Sequence, residues 1–183
     1  MGTIKDFKYK VCKNFLDNSE IELLKNYCRI RHRVNFDNFD MEQSDNADTF
    51  FYADPLMESL MLKKHTLMEK ETGLSLHPTY AFWRMYTKFS DLKKHKDRPS
   101  CEISVTVMID SDKTEWPIYI EGNKIILQPG DAAIYLGCEL LHWRDEFLGD
   151  FHAQSFLHYV DKNGPYEDFK IDKRDLFGLN KPL

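Results

Sequence analysis

Apolar residues recur along this chain with two periods, and the change from one to the other falls at Gly73. Before it the spacing is helical. Asp17 has the character of an N-cap, and Glu20, three residues on, completes a capping box. Leu16 and Ile21 stand at the positions of a hydrophobic staple, and Ile21, Leu24 and Cys28 then share one face, which Leu23 and Tyr27 widen. A second helix is predicted from Asp54 as cap and Pro55 as first helical residue. Met57, Leu60, Met61, Lys64, Leu67 and Met68 follow at helical intervals, and Gly73 is the stop. Between the helices, the segment from Asp37 to Asp48 carries Asp37, Asp40, Glu42, Asp45 and Asp48 without a basic residue, which predicts a solvated loop, a candidate lid.

After Gly73 the alternation is that of strands. Tyr80, Phe82, Arg84 and Tyr86 alternate with Ala81, Trp83 and Met85, and Ile103, Val105, Val107 and Ile109 form one face of another strand. Residues 117–120 and 124–127 flank Glu121-Gly122-Asn123, a hairpin signal. Pro129-Gly130-Asp131 is a turn, followed by the apolar strand Ala132 to Leu136, and His152 to Val160 is the last strong strand. Helices followed by many closely spaced strands predict an α+β fold whose sheet part is a jelly roll or barrel.

Composition narrows the function classes. With 183 residues, 42% of them hydrophobic, the chain can bury a core without disulfide staples. No linker-like segment divides it, so the expectation is one domain over 1–183: mainly helical support over 1–76, a β core over 77–163 and a charged tail over 164–183, with Phe169, Leu176 and Phe177 as docking points. The formal net charge of −5 disfavours nucleic acid as partner, although Lys88, Lys93, Lys94, Lys96 and Arg98 form a local basic cluster that is either an anion-attracting patch or a solvated loop. No apolar run approaches the roughly twenty residues that cross a bilayer, and the polar, basic N-terminus has no apolar signal core. Cys12, Cys28, Cys101 and Cys138 are scattered without a CxxC pair, which fits a reducing, cytoplasmic setting better than a disulfide or zinc framework. The sequence leaves the oligomeric state open.

One constellation carries chemistry. His95-x-Asp97 places an imidazole and a carboxylate on one side of an extended segment. His142 follows the Pro129-Gly130-Asp131 turn and the next strand, and in a rolled antiparallel sheet it can return beside the first pair. Two imidazoles and one carboxylate on one face of a metal leave the other face open, the arrangement of non-heme Fe(II) oxygenases.

The stretch from Arg84 through Tyr86 and Leu92 to His95 and Asp97 resembles the approach to the iron site in 2-oxoglutarate/Fe(II) oxygenases of the prolyl 4-hydroxylase-like branch. Pro129-Gly130-Asp131 through His142-Trp143-Arg144 is similar to the turn, strand and distal His of that family, and Gln154 to Val160 to its closing strand. The resemblance, over roughly Phe15 to Asp161, implies a double-stranded β-helix (jelly-roll, cupin-like) core with N-terminal supporting helices. It implies Fe(II) held by His95, Asp97 and His142, with 2-oxoglutarate and O2 as cosubstrates. The implied reaction hydroxylates a C–H bond of an amino-acid, peptidyl (prolyl-type) or other small substrate while 2-oxoglutarate is decarboxylated to succinate.

The chain departs from the family at the cosubstrate's far carboxylate. The Lys or Arg usual about ten residues after the distal His is His152, and a Gly usual shortly after Tyr86 is Phe89. The candidates to hold the cosubstrate are Tyr86 and His152 first, then Arg84, Gln154 and Arg98. A non-redox jelly-roll module that binds a metal or ligand is the alternative, and hydrolysis by a zinc cupin is a third class.

Overall fold

The structure is a computed structural model that describes residues 2–34 and 48–179. The loop reading for the acidic segment therefore lies outside the described residues except at Asp48. There it needs correction, because Asp48 is buried and accepts from Arg84.

Both anticipated helices form with the expected caps. In α2 (Asn18–Val34), the Glu20 amide donates to Asp17 Oδ1 at 2.8 Å, and the Asp17 amide donates to Glu20 Oε2 at 2.8 Å. Glu20 also receives Lys64 Nζ at 2.6 Å, so one carboxylate caps α2 and ties it to α3 (Pro55–Thr72). Asp54 Oδ1 accepts from the amides of Leu56 and Met57, and Gly73 ends α3 at φ 69°. The apolar stripe of α2 is narrower than its sequence suggests: Leu24 and Cys28 are buried, whereas Leu23 faces solvent. The N-terminal segment, read as merely polar, forms α1 (Ile4–Phe7) and the strand β1 (Tyr9–Cys12).

The remaining strands are β2 (Thr49–Tyr52), β3 (Leu76–Thr87), β4 (Leu92–His95), β5 (Ile103–Ser111), β6 (Ile118–Ile120), β7 (Asn123–Ile125), β8 (Ala132–Leu136), β9 (His142–Arg144) and β10 (Phe151–Asp161). They form two antiparallel sheets, a six-stranded one in the order β1-β8-β5-β10-β3-β2 and a four-stranded one in the order β4-β9-β6-β7. This is a double-stranded β-helix, extended at the edges of its larger sheet by β1 and β2.

The larger sheet is buried on both faces, which makes β5 and β8 read as near-continuous buried runs. Ile103 and Val105 lie beside Tyr159 and Leu157 of β10, and the Tyr159 hydroxyl donates to Met61 O of α3, so this face meets the helices. Ser104 and Thr106 project the other way, toward the smaller sheet, and bond Asp97 and Gln154. The sheet thus has an apolar face against α2 and α3 and a polar face toward the interior. Gly130 (φ 91°) allows the turn before β8 to lie against α2, since a Cβ there would run into the Ile21 side chain. The hairpin between β6 and β7 turns through Glu121 and Gly122, both at positive φ, as a tight two-residue loop requires.

The tail from Glu167 docks chiefly through buried ions, not through the aromatic residues alone. Arg174 donates to Glu58 Oε1 at 2.5 Å and to Thr79 O at 2.9 Å, and the Gly178 amide donates to the same Glu58 carboxylate. Asp172 receives both terminal nitrogens of Arg98 at 2.7 Å. Phe177 packs on the core, while Leu176 stays exposed. A lone charge left in a protein interior costs more than the pair ever contributed. Glu58→Ala is therefore expected to lower unfolding stability by about 3–5 kcal/mol in urea titrations and to make the tail sensitive to protease under native conditions. Phe89, exposed and held at φ 72°, stands in the left-handed region, so Phe89→Gly should raise unfolding stability by up to about 1 kcal/mol, read as a higher urea midpoint.

Candidate metal centre

β4 and β9 run antiparallel with His95 directly opposite His142. Asp97, two residues beyond His95, is fixed by its amide donating to Gly137 O at 2.9 Å. Both imidazole Nε2 atoms lie 3.4 Å from the same oxygen, Asp97 Oδ1, and one ligand atom from each of the three residues falls within 4.8 Å of the others.

The tautomers follow from the backbone. His95 Nδ1 is 2.6 Å from Lys93 O and His142 Nδ1 is 3.0 Å from Leu140 O. A carbonyl only accepts, so each Nδ1 carries the hydrogen and each Nε2 is left to take a proton or a metal. Three electron-rich atoms thus converge on one point. Burial works to raise the Asp97 carboxyl, but hydrogen bonding to His142 and His95 outweighs it and holds the group well below the usual carboxylate range. Asp97 in turn raises the His95 imidazole. The other Asp97 oxygen accepts from Ser104 Oγ at 2.7 Å. Gly137 is obligatory here, because a Cβ would overlap Asp97 Oδ2, Cys101 O and Ser104 Oγ.

The triad lies in the wall of a cavity of about 160 Å³, lined also by Tyr80, Phe82, Arg84, Tyr86, Tyr135, Phe156 and His158. His158 bonds Ser104 Oγ through Nδ1 at 3.0 Å, and burial pushes its imidazole down to about 4, so it is neutral. Arg84 lines the cavity but is already engaged: Nε and Nη2 reach Asp48 Oδ2 at 2.8 and 2.6 Å, and the guanidinium lies 4.4 Å from the Tyr86 ring centre. Asp48 is held in addition by the Thr87 amide and Ser90 Oγ.

His152 and Gln154 stand opposite Tyr86 and Arg84 on the β3–β10 ladder, outside the lining of this cavity. The network fixes the Gln154 amide with its oxygen toward His152 Nε2 (2.6 Å) and Arg144 Nη2 (2.9 Å) and its nitrogen toward Thr106 Oγ1 (2.8 Å) and Val107 O (3.1 Å). His152, packed edge-on to Trp116 and Phe147, is driven well below its ordinary pKa by burial and by Arg144. It is a neutral donor already used by Gln154. Arg98 stands outside this cavity, locked onto Asp172. The structure thus brings His95, Asp97, His142, Tyr86 and Arg84 to one cavity and leaves His152, Gln154 and Arg98 outside its lining.

No protein-family model and no curated protein sequence matches the chain. Solved structures do. A Pseudomonas putida prolyl-4-hydroxylase aligns over 87% of this chain and 97% of its own, at TM-score 0.69 and 14% identity. The viral collagen prolyl hydroxylase of Paramecium Bursaria Chlorella virus-1, as a 2-oxoglutarate complex, aligns over 83% and 94% at TM-score 0.61 and 12% identity. HygX from Streptomyces hygroscopicus, with nickel and 2-oxoglutarate bound, aligns over 87% and 85% at TM-score 0.65 and 12% identity. The chain has the fold of the 2-oxoglutarate/Fe(II) oxygenases.

Within that oxygenase fold, two interior residues escaped the sequence reading. His158, absent from the candidates, shares the inward face of β10 with His152, Gln154 and Phe156, and strict alternation from His152 places it inside. Arg144, which the sequence offers only as part of the distal-His stretch, is buried and donates through Nη1 to Trp116 O at 2.6 Å. Its place two residues after His142, on the same strand face, was the signal for burial. Gly137→Ala should weaken divalent-metal affinity by about 10–100-fold, the usual cost of disturbing a ligand's support, measured by calorimetric titration with Mn(II), while thermal melting shows the fold retained.

Proposed function

We propose that the protein is a 2-oxoglutarate- and Fe(II)-dependent dioxygenase that hydroxylates a C–H bond of an amino-acid, peptidyl (prolyl-type) or other small substrate. One observation carries the reading. Two imidazoles whose hydrogens are tied back to the backbone, and one ionised carboxylate, aim their free electron pairs at a single point in a cavity wall. Such a donor set, all on one side of that point, suits an octahedral, redox-active ion better than the closed tetrahedron of a structural zinc site.

His95, Asp97 and His142 would hold the iron. When bound, iron, 2-oxoglutarate and O2 supply the oxidising power for hydroxylation, with succinate and CO2 as coproducts. The chain supplies position and dryness. Ser104 orients Asp97, and Tyr80, Phe82 and Phe156 form an aromatic wall that excludes water and suits a compact apolar ring such as a prolyl side chain. The prolyl-type substrate is supported by the aligned prolyl hydroxylases. Among the described residues no helix is long and apolar enough to cross a membrane, and all four cysteines are free, which supports a reducing, cytoplasmic setting.

The test is an anaerobic titration of the purified protein with Fe(II) and 2-oxoglutarate, followed by the visible charge-transfer band of the chelate. A band that needs both additions and is lost in Asp97→Ala supports the proposal. Iron bound without a band moves the protein to the non-redox binding module. His142→Ala should lower coupled succinate formation by more than the about 10–100-fold typical of losing a ligand's supporting partner.

A further inference from the structure

Among the described residues, Arg144 is a buried guanidinium without a carboxylate partner. Its Nη1 donates to Trp116 O, its Nη2 faces Gln154 Oε1, and its Nε meets no acceptor among the described residues. The plane of the group lies 4.8 Å from the Trp116 ring centre, which gives it packing but no counter-charge. The other deeply buried arginines are each answered by an anion: Arg84 by Asp48 and Arg174 by Glu58. A buried charge that lacks a partner is costly, so it is ordinarily paired or neutralised.

Its position tells what it would receive. Arg144 and His142 lie two residues apart on β9, hence on one strand face and about 6.6–6.8 Å apart along the strand. Tyr86 and Tyr135 line the cavity, and both lie within electrostatic reach of Arg144. A small acid chelated at the triad by one end can extend its other end toward this guanidinium. Arg84 lines the cavity, but an incoming carboxylate there would have to compete with Asp48. His152, at the position where the family carries its cation, is neutral and spends its N–H on Gln154.

We propose that Arg144 is the seat of the cosubstrate's far carboxylate, displaced from the strand that usually bears it to the strand that bears the distal metal ligand. Gln154 and His152 then act as positioning residues, since they hold one edge of the guanidinium and leave Nε for the ligand. This rests on the oxygenase reading.

The test compares two acids with the same chelating head, 2-oxoglutarate and 2-oxopentanoate, which lacks the far carboxylate. Dissociation constants are measured by calorimetry on full-length, Mn(II)-loaded protein, with thermal melts as a check on folding. In the wild type, 2-oxoglutarate should bind about 100-fold more tightly than 2-oxopentanoate, the scale of a charge-assisted pair. In Arg144→Gln that preference should collapse to a few-fold while Mn(II) affinity and 2-oxopentanoate binding hold. Should that variant melt too low for titration, Arg144→Lys keeps the charge without the planar fork, and its preference should drop to about tenfold. A preference retained in the variant measured, or one lost in Arg84→Lys and kept in Arg144→Gln, overturns the assignment while leaving the oxygenase reading intact. Mn(II)-loaded wild type that binds neither acid overturns the cosubstrate reading, and the assignment with it.

Discussion

The site depends on the register between β4 and β9. His95 and His142 sit directly opposite each other across that ladder, so their imidazoles meet without any loop having to place them. Because side chains alternate along a strand, a slip of one residue would turn one imidazole out of the cavity and bring a neighbour in. The ladder is short, and it is supported from outside. Gly137 O holds the Asp97 amide, the Glu121 amide donates to Leu141 O, and β6 pairs with the far side of β9. The larger sheet contributes the other wall, through Ser104 on Asp97 and through the aromatic rows of β3 and β10.

The interior is graded along the strands. Near the triad stand His158, Tyr80 and Tyr135; then comes the Phe82–Phe156 contact; beyond it lie Gln154, Arg84 and Arg144, and last His152, Tyr86 and Trp116. Polar groups are thus confined to the two ends of the space with an apolar belt between. That distribution separates the place where a metal can bind from the place where a ligand's charge can be received, and it does so with alternate residues of single strands.

Much of this was legible in the chain because it rests on local rules. The Asp17–Glu20 box and the Asp54-Pro55 start announce their helices, and the period-2 rows of β3, β5 and β10 announce their strands. His95-x-Asp97 is legible because two residues of one strand must share a face. What was not legible depends on partners distant in sequence. The N-terminal Tyr9–Cys12 segment is too short to announce a strand by itself and pairs along the edge that β8 offers. Asp48 belongs to an acidic run, and nothing local says that Arg84 will bury it. The tail carries aromatic residues that suggest docking, whereas its main anchors are Arg174 and Asp172, which only tertiary contact can reveal. Arg144 is legible only through its place two residues after His142, since a lone arginine inside such a sheet fold is uncommon.

Each triad imidazole is braced by a carbonyl from its own segment, Lys93 O for His95 and Leu140 O for His142. That bracing is built from backbone carbonyls and needs no ion to hold the rings in place. In a zinc finger the ligands are scattered until metal gathers them, so metal and fold are gained or lost together. Here the three donors are held by the fold itself, so a metal seated among them would be a passenger of the fold rather than its staple. Such an ion could be lost and regained without a round of refolding.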